Sequence, residues 1–251
     1  MRMDLNCDMG ESFGAYALGQ DEQVMPFITS TNIACGYHAG DPLVMQATLR
    51  LAKQYGAAVG AHPGYPDLQG FGRREMNLTP AEVEAVVLYQ IGALAGMARA
   101  AGLELAHVKP HGALYNTAAK DIEIARAVAR AVAAFDQRLV LVGLAGSMSI
   151  QAGQELGLRV AAEAFPDRAY NPDGSLRSRR LPGAVLEDVE AVTRHAVELA
   201  REGIRLGDGA ALQIDTLCLH GDNPRAADNA RQVRAALQAE GITLISLANF
   251  A

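Results

Sequence analysis

The chain has 251 residues, half of them apolar, and a formal charge of −6 at pH 7. This length suits one α/β barrel or two small domains, and the lack of any basic run makes nucleic acid and anionic membranes poor partners. The three cysteines are few and far apart, which indicates a reducing compartment. The N-terminal residues carry no apolar core of a signal peptide, and no uncharged stretch is long enough to span a bilayer. We therefore expect a cytoplasmic protein.

Strand-like and helix-like segments alternate from one end of the chain to the other. Apolar runs predict eight strands, at residues 3–7, 27–35, 57–61, the stretch leading into 107–116, 139–143, 158–162, 215–219 and 242–247. One helix is predicted to begin at Pro42, after the cap Asp41, with an apolar stripe of Leu43, Ala47, Leu51 and Tyr55. A second begins with the capping box of Thr79 and Glu82, and a third spans 118–135. Because no linker divides the chain, the pattern predicts one (β/α) barrel domain over residues 1–251, with seven to eight strands.

Polar and ionisable residues collect where the predicted strands end and the loops begin. They are Asn6, Asp8 and Glu11 after the first strand, His38 after the second, His62 after the third, Lys109 and His111 at the fourth, Glu163 and Arg168 after the sixth, and His220 and Asp222 at the seventh. In a parallel barrel these points share the C-terminal rim, where active sites are built. Residues two apart, such as Lys109 and His111, project from one face of a strand. The sequence therefore predicts an active site on this rim.

Several of these residues have a second interpretation. His107 reads as an ordinary half-exposed residue at the start of its strand, and Asp41 and Asn223 read first as helix caps. Asp8, His38 and His62 form a ligand set that zinc accepts, but no HExxH motif supports it, so metal-bound and metal-free sites both stay open. No GxxxxGK[ST] loop occurs in the sequence. Chemistry with ATP would then need another protein or a site of a different kind.

Six strings of residues resemble the LamB/YcsF family, and they follow one another in the family's order. They lie at residues 4–11, 32–42, 60–67, 107–116, 163–170 and 219–224. The resemblance implies a TIM-type barrel akin to those of glycoside hydrolases and deacetylases. It also implies ATP-dependent opening of 5-oxo-L-proline to L-glutamate, in a complex with subunits B and C of 5-oxoprolinase. Deacetylase relatives of this fold use an Asp-His-His metal site, which keeps a divalent metal among the expected cofactors.

The predicted rim residues suit this chemistry. Asp8 is the expected base for water, assisted by Glu11 or His38, and Lys109 and Arg168 are the expected cations for the substrate carboxylate and the developing charge. His111 and His220 are the expected proton donors to the departing nitrogen. The expected substrate contacts further include Asn6, His62, Glu163 and Asp222. Two alternatives remain: a metal-dependent carbohydrate or amide deacetylase that acts alone, and a barrel that binds a sugar or amino acid without turnover.

Overall fold

A computed structural model of the chain describes residues 1–178, 180–219, 221 and 225–250. Ten strands occur in this part of the chain: β1 Arg2–Met9, β2 Ser30–Ala34, β3 Ala58–His62, β4 Leu105–Val108, β5 Val140–Leu144, β6 Arg159–Ala164, β7 Ile204–Arg205, β8 Ala211–Leu212, β9 Thr216–Leu219 and β10 Thr243–Leu244. The same residues contain eight α-helices: α1 Asp21–Val24, α2 Pro42–Tyr55, α3 Pro80–Ala100, α4 Gly112–Ala118, α5 Ile122–Phe135, α6 Met148–Glu155, α7 Val189–Glu202 and α8 Ala226–Ala239. Short 3-10 turns lie at Met25–Phe27 and Leu247–Asn249.

Seven parallel strands close into a barrel, and this confirms the predicted fold. The order is β1-β2-β3-β4-β5-β6-β9, and β9 pairs back onto β1 to complete the ring. The predicted eighth strand, β10, pairs only with the start of β1, where Arg2 and Met3 meet Thr243 and Leu244. β10 therefore lies at the N-terminal end of the barrel and is not part of the closed ring. β7 and β8 form a separate antiparallel hairpin.

The helix starts follow the predicted caps, but one predicted stripe is wrong. Asp41 Oδ1 accepts hydrogen bonds from two backbone N–H groups of α2, and the capping box at Thr79 opens α3. Leu43, however, is 76% exposed, and α2 is buried instead through Met45, Leu49 and Ala52. A spacing of four drifts by about 40° per step on a helix of 3.6 residues per turn, so the predicted stripe turned away from the barrel.

The helix predicted over 118–135 is α5, which begins later than expected, at Ile122, because Asp121 is its cap. Asp121 accepts hydrogen bonds from the backbone N–H groups of Glu123 and Ile124, and this begins α5 after α4 has ended at Ala118. The aspartate satisfies donors that the first turn of a helix leaves without partners. The break places α4 directly after the fourth strand, beside the rim.

Among the described helices, only α3 has the length and the apolar composition that a membrane-spanning helix needs. Its inner face, with Val83, Val87, Ile91 and Leu94, is buried in the hydrophobic core around the barrel. The core helix of an α/β barrel meets the same criteria, so this composition is weak evidence for a membrane.

The interior of the barrel is polar, whereas branched apolar side chains fill most barrels of this kind. Fully buried polar side chains rise from the floor to the rim: Asp4, Ser30 and Thr216, then Asn6, Asn32, His107 and Glu163, and above them Lys109 and His62. Apolar side chains fill the remaining sector, with Val140, Val142 and Ala161 packed together. Buried polar groups require hydrogen-bond partners, so this column forms a connected network that ends at the rim.

His107 belongs to that network, and its predicted half-exposed position is wrong. The side chain is fully buried, and Nε2 lies 2.7 Å from Asn32 Oδ1, which accepts the hydrogen bond. The ring occupies space that Gly60 on β3 leaves open, since a Cβ at Gly60 would lie 2.1 Å from His107 Nε2. Residue spacing along β4 does not show that the glycine on the neighbouring strand β3 leaves room for the His107 ring.

Gly60→Ala is therefore expected to destabilise the fold by about 1–3 kcal/mol or more, because the added methyl group overlaps the His107 ring. Urea unfolding measures the loss. The double variant Gly60→Ala with His107→Ala should lose less than the sum of the two single variants, because the second change removes the overlapping ring. Strict additivity would contradict this account. Gly92→Ala, on an exposed turn of α3 with open space around it, is the matched control.

Asp4 lies at the floor of the polar column and accepts three hydroxyl hydrogen bonds. Ser30 Oγ and Thr29 Oγ1 donate to Oδ1 at 2.6 and 2.8 Å, and Thr216 Oγ1 donates to Oδ2 at 2.5 Å. Burial nevertheless raises the pKa of the Asp4 carboxyl to about 6, against the lowering effect of these donors. The carboxylate is thus costly to keep ionised at neutral pH.

Asp4→Asn should change the pH dependence of stability. The pKa of Asp4 is raised in the folded state, so the protonated carboxyl stabilises the fold. This contribution to the free energy of unfolding is fully present below the unfolded pKa near 3.8 and is lost as the pH rises through about 6. A shift of this size corresponds to about 3 kcal/mol. The difference in free energy of unfolding between variant and wild type should therefore shift in favour of the variant by up to about that amount between pH 4 and pH 7. A pH-independent effect of the amide on stability would not change this shift. Unfolding at several pH values measures the difference, and a pH-independent difference would contradict the raised pKa.

Candidate active site

A cavity of about 260 Å³ opens at the C-terminal rim of the barrel. Its walls are Asp8, His62, Arg73, Lys109, Pro110, His111, Gly112, Ala113, Tyr115, Asn116, Phe165, Arg168 and Leu176. Five of the predicted site residues are among them, from the ends of β1, β3 and β4 and the loop after β6. The cavity therefore lies where parallel-barrel enzymes place their active sites.

The other predicted site residues lie around the cavity or outside the described chain. Asn6 and Glu163 are completely buried beneath it, in the layer under Lys109. Glu11 and His38 are buried on the far side of the His111 ring. His220 and Asp222 fall outside the described residues, so their predicted roles stay predictions.

Lys109 is the central cation of the site, with its side chain 2% exposed. Its Nζ lies 3.0 Å from Asp8 Oδ1, 2.9 Å from Glu163 Oε1 and 2.9 Å from Cys218 Sγ. Burial opposes the charge, but the two carboxylates and the thiol outweigh it and hold the pKa of Lys109 well above its usual range. Lys109 is thus a permanently charged ammonium at the floor of the cavity.

Asp8 lies between this ammonium and the histidines. Its Oδ1 accepts from Lys109 Nζ and, at 2.8 Å, from Asn32 Nδ2, while its Oδ2 lies 3.3 Å from His62 Nε2. One oxygen is therefore held in place by two donors. The other lies on the side of the imidazole groups, and the residue lines the cavity. This geometry gives a positioned carboxylate that can approach a bound water molecule.

Three histidines pack together beside Asp8. His38 and His111 are stacked with centroids 3.7 Å apart, and His62 meets His111 edge to face at 4.8 Å. Burial, reinforced by the neighbouring His62, lowers the pKa of His111 to about 3. Burial, with the nearby His111 and His62, also holds the pKa of His38 well below its usual range. Both rings are therefore neutral at physiological pH.

Phe71 holds this group together from the long loop after β3. It is the one non-glycine residue in the described chain with a positive φ, 54°, and its carbonyl lies 2.8 Å from His111 Nε2. Its ring packs edge to face on both His38 and His111. The strained backbone thus serves to aim a carbonyl at a buried histidine.

The opposite wall combines cationic and apolar side chains. Arg168 is buried, and its Nη2 donates to the Arg177 carbonyl at 2.6 Å, which orients the guanidinium. Arg73 lies on the loop after β3 with its guanidinium 4.9 Å from the Phe71 ring centroid. Phe165 and Leu176 add apolar surface. The cavity can therefore hold a small anion with an apolar body, next to a carboxylate and a buried ammonium.

Sequence reasoning missed Asn32, Cys218, Phe71 and Arg73. For two of them a signal exists, because alternation continues along the strands: Asn32 follows Ser30 by two on β2, and Cys218 follows Thr216 by two on β9. Both therefore face the interior. Phe71 and Arg73 lie in an irregular loop, where spacing carries no such information.

Glu11, His38, His62 and His111 form a group that can hold a metal ion. Each offers one ligand atom, these atoms all lie within 4.8 Å of one another, and all four residues are buried. Three imidazoles and a carboxylate match the ligand types of zinc. Asp8, which the sequence placed in a metal set, pairs instead with Lys109.

Known proteins resemble the chain over nearly its whole length. A sequence model described as the LamB/YcsF family matches residues 3–251. A protein of Chloroflexus aggregans, named as the A subunit of 5-oxoprolinase, is 57% identical over 247 residues, which cover 97% of this chain and 98% of that protein. The crystal structure of a lactam utilization protein from Thermus thermophilus is 51% identical, with a TM-score of 0.92, and covers 98% of this chain and 100% of that one. The T48 deacetylase with substrate, at 13% identity, TM-score 0.50 and coverage of 98% and 89%, shares the fold alone.

Proposed function

The chain belongs to the LamB/YcsF family, and on this basis we propose that it is the A subunit of an ATP-dependent 5-oxoprolinase. This enzyme opens the lactam ring of 5-oxo-L-proline and releases L-glutamate, so it is a hydrolase of a cyclic amide bond. The observation that supports the proposal best is the rim cavity, which places the Asp8 carboxylate and the Lys109 ammonium beside Arg168 and the apolar Phe165. A small ring acid needs this combination of groups.

The cavity suits 5-oxo-L-proline in size and in charge. Its volume of about 260 Å³ equals roughly nine water molecules at ~30 Å³ each, enough for one small ring. Arg168 is the expected partner of the substrate carboxylate, and Phe165 and Leu176 would cover the methylene groups of the ring. The lactam carbonyl would then face Lys109 and Asp8, where charge develops during the reaction.

ATP supplies the activation that a lactam lacks. Transfer of the γ-phosphoryl group to the lactam oxygen releases ADP and leaves a carbon that water can attack. Asp8 would take the proton from that water, with Glu11 and His38 behind the neighbouring histidines, and Lys109 would stabilise the negative charge. The C–N bond then breaks as the nitrogen takes up the proton that Asp8 removed from water. A second water hydrolyses the acyl phosphate, so that phosphate and glutamate leave.

ATP binding and the phosphoryl transfer fall to a complex with subunits B and C. The sequence has no GxxxxGK[ST] loop, so this chain lacks the commonest cradle for a nucleotide phosphate. A cytoplasmic complex agrees with the three sparse cysteines of the sequence. The second candidate is a metal-dependent amide or carbohydrate deacetylase that acts alone, and the four grouped donors favour it specifically.

Reconstitution distinguishes the two candidates. We expect the isolated chain neither to hydrolyse ATP nor to open 5-oxoproline, and the mixture with subunits B and C to release glutamate and ADP together. Glutamate and ADP are measured for the chain alone, for B with C, and for all three, each with and without ATP. Steady turnover by the isolated chain, or amide hydrolysis independent of ATP, would contradict the 5-oxoprolinase proposal and favour the second candidate.

A further inference from the structure

Four donor side chains converge from four consecutive strand ends of the barrel. Glu11 follows β1, His38 follows β2, His62 ends β3, and His111 follows β4 at the start of α4. All are buried, and their ligand atoms lie within 4.8 Å of one another. Glu11 Oε1 lies 3.5 Å from His38 Nε2 and 3.6 Å from His111 Nδ1. The barrel strands are rigid, so the group is held in place by the fold.

Two backbone carbonyls determine the tautomers of His62 and His111. The Lys109 carbonyl lies 2.7 Å from His62 Nδ1, and the Phe71 carbonyl lies 2.8 Å from His111 Nε2. A carbonyl oxygen only accepts, so the proton of each neutral ring is on the nitrogen that faces it. The lone pairs are then on His62 Nε2 and His111 Nδ1. These two atoms face each other at 3.0 Å.

Two lone pairs at this distance require a positive charge between or beside them. A shared proton could bridge the His62 and His111 nitrogens, but it would leave Glu11 and His38 without a role in the group. Zinc binds nitrogen and oxygen ligands at about 2.0–2.2 Å, which places the donors of a tetrahedral site ~3.3 Å apart. Three of the six donor pairs, at 3.0, 3.5 and 3.6 Å, bracket this value, and all donor atoms lie within 4.8 Å of one another.

His38 supplies the remaining ligand. Neither of its ring nitrogens has a hydrogen-bond partner among the described residues, although the side chain is completely buried. Such a histidine requires an explanation, since buried polar atoms are paired in nearly all proteins. Its ring is stacked on the His111 ring, and its Nε2 lies 3.5 Å from Glu11 Oε1, on the side of the other donors.

We propose that Glu11, His38, His62 and His111 form a binding site for a divalent transition-metal ion with zinc-like preferences. The site lies behind the cavity wall formed by His62 and His111 and does not use Asp8, whose Oδ1 is held by Lys109. A metal there would fix the orientation of both imidazoles at the edge of the cavity. The proposal goes beyond the 5-oxoprolinase function, because metal binding belongs to the isolated chain and needs neither ATP nor partner subunits.

Calorimetric titration of the metal-stripped full chain with Zn²⁺ tests the site. We expect one ion per chain, and affinity at least about 100-fold weaker in both His111→Gln and Glu11→Gln, since each removes a ligand. His195→Gln is the matched control, because His195 lies on α7, hydrogen-bonds the Pro166 carbonyl and is not among the four donors, so the affinity of this variant should match wild type. Thermal melting without metal checks that each variant folds.

A second readout separates a built site from binding at the surface. Co²⁺ in place of Zn²⁺ should give a visible spectrum that both substitutions change and His195→Gln leaves unaltered. If the wild-type chain binds no Zn²⁺ stoichiometrically, or if the two ligand variants bind it as tightly as wild type, the proposal is wrong. In that case the two facing nitrogens share a proton. Neither outcome depends on whether the assembled complex opens 5-oxoproline.

Discussion

Asp8→Asn in the assembled enzyme is expected to lower glutamate formation by ~10²–10⁴-fold, the usual worth of general-base catalysis. Asparagine keeps the shape of the side chain and the oxygen that accepts from Lys109 and Asn32. These two hydrogen bonds are therefore preserved. What is lost is the ability to take a proton from water.

Because phosphoryl transfer is assigned to the partner subunits, substrate-dependent ADP release should survive better than glutamate release in this variant. Both products are measured side by side in the reconstituted complex. Asp121→Asn is the matched control: it makes the same change at an exposed helix cap, where asparagine serves almost as well as aspartate. Glutamate formation within about tenfold of wild type would show that Asp8 is not the base. A parallel fall of ADP and glutamate would instead overturn the division of labour between subunits.

Lys109→Met is expected to damage both stability and activity. The lysine is the buried cation between the Asp8 and Glu163 carboxylates, at 3.0 and 2.9 Å. Removing one partner of a buried ion pair leaves a charge without compensation, which typically costs about 3–5 kcal/mol. Glutamate formation should fall by on the order of 10²-fold or more, because a preorganised donor to the developing charge is lost.

A second substitution separates these two effects. In Lys109→Met with Glu163→Gln, one of the two stranded charges is gone, so part of the stability should return while activity stays low. Urea unfolding and glutamate release measure the two quantities. Lys53→Met is the control, since Lys53 is an exposed lysine on α2 that only contacts the Ala101 carbonyl. A double variant no more stable than the single one would contradict the assigned charge balance.

Local pattern was sufficient for the barrel and for most of its strands. Apolar runs and caps such as Thr79 predicted the order of elements, because strand and helix periods are properties of neighbouring residues. The same logic failed at α2, where Leu43 is exposed and Met45 is buried. Because α2 has apolar residues on two faces, its sequence does not show which face packs against the barrel. Packing decides that.

For the site, the sequence predicted Asp8, Lys109 and His111 at strand ends on one rim, and all three line the rim cavity. Strand alternation did not indicate that Glu163 lies under the cavity, or that Cys218 contacts the Lys109 ammonium at 2.9 Å. Those relations join strands that are far apart in sequence. They depend on how the ring closes between β9 and β1.

Short-range periodicity and strings of residues were enough for the fold, the family and the rim on which the polar residues collect. The pairing within the site became visible once the barrel had closed. Asp8 bonds to Lys109, while Glu11 joins the three histidines, and the Phe71 and Lys109 carbonyls determine which ring nitrogens carry protons. Hydrogen bonds and ion pairs depend on distances of a few tenths of an ångström between separate strands. Closure of the barrel creates those distances, and spacing along the chain does not encode them.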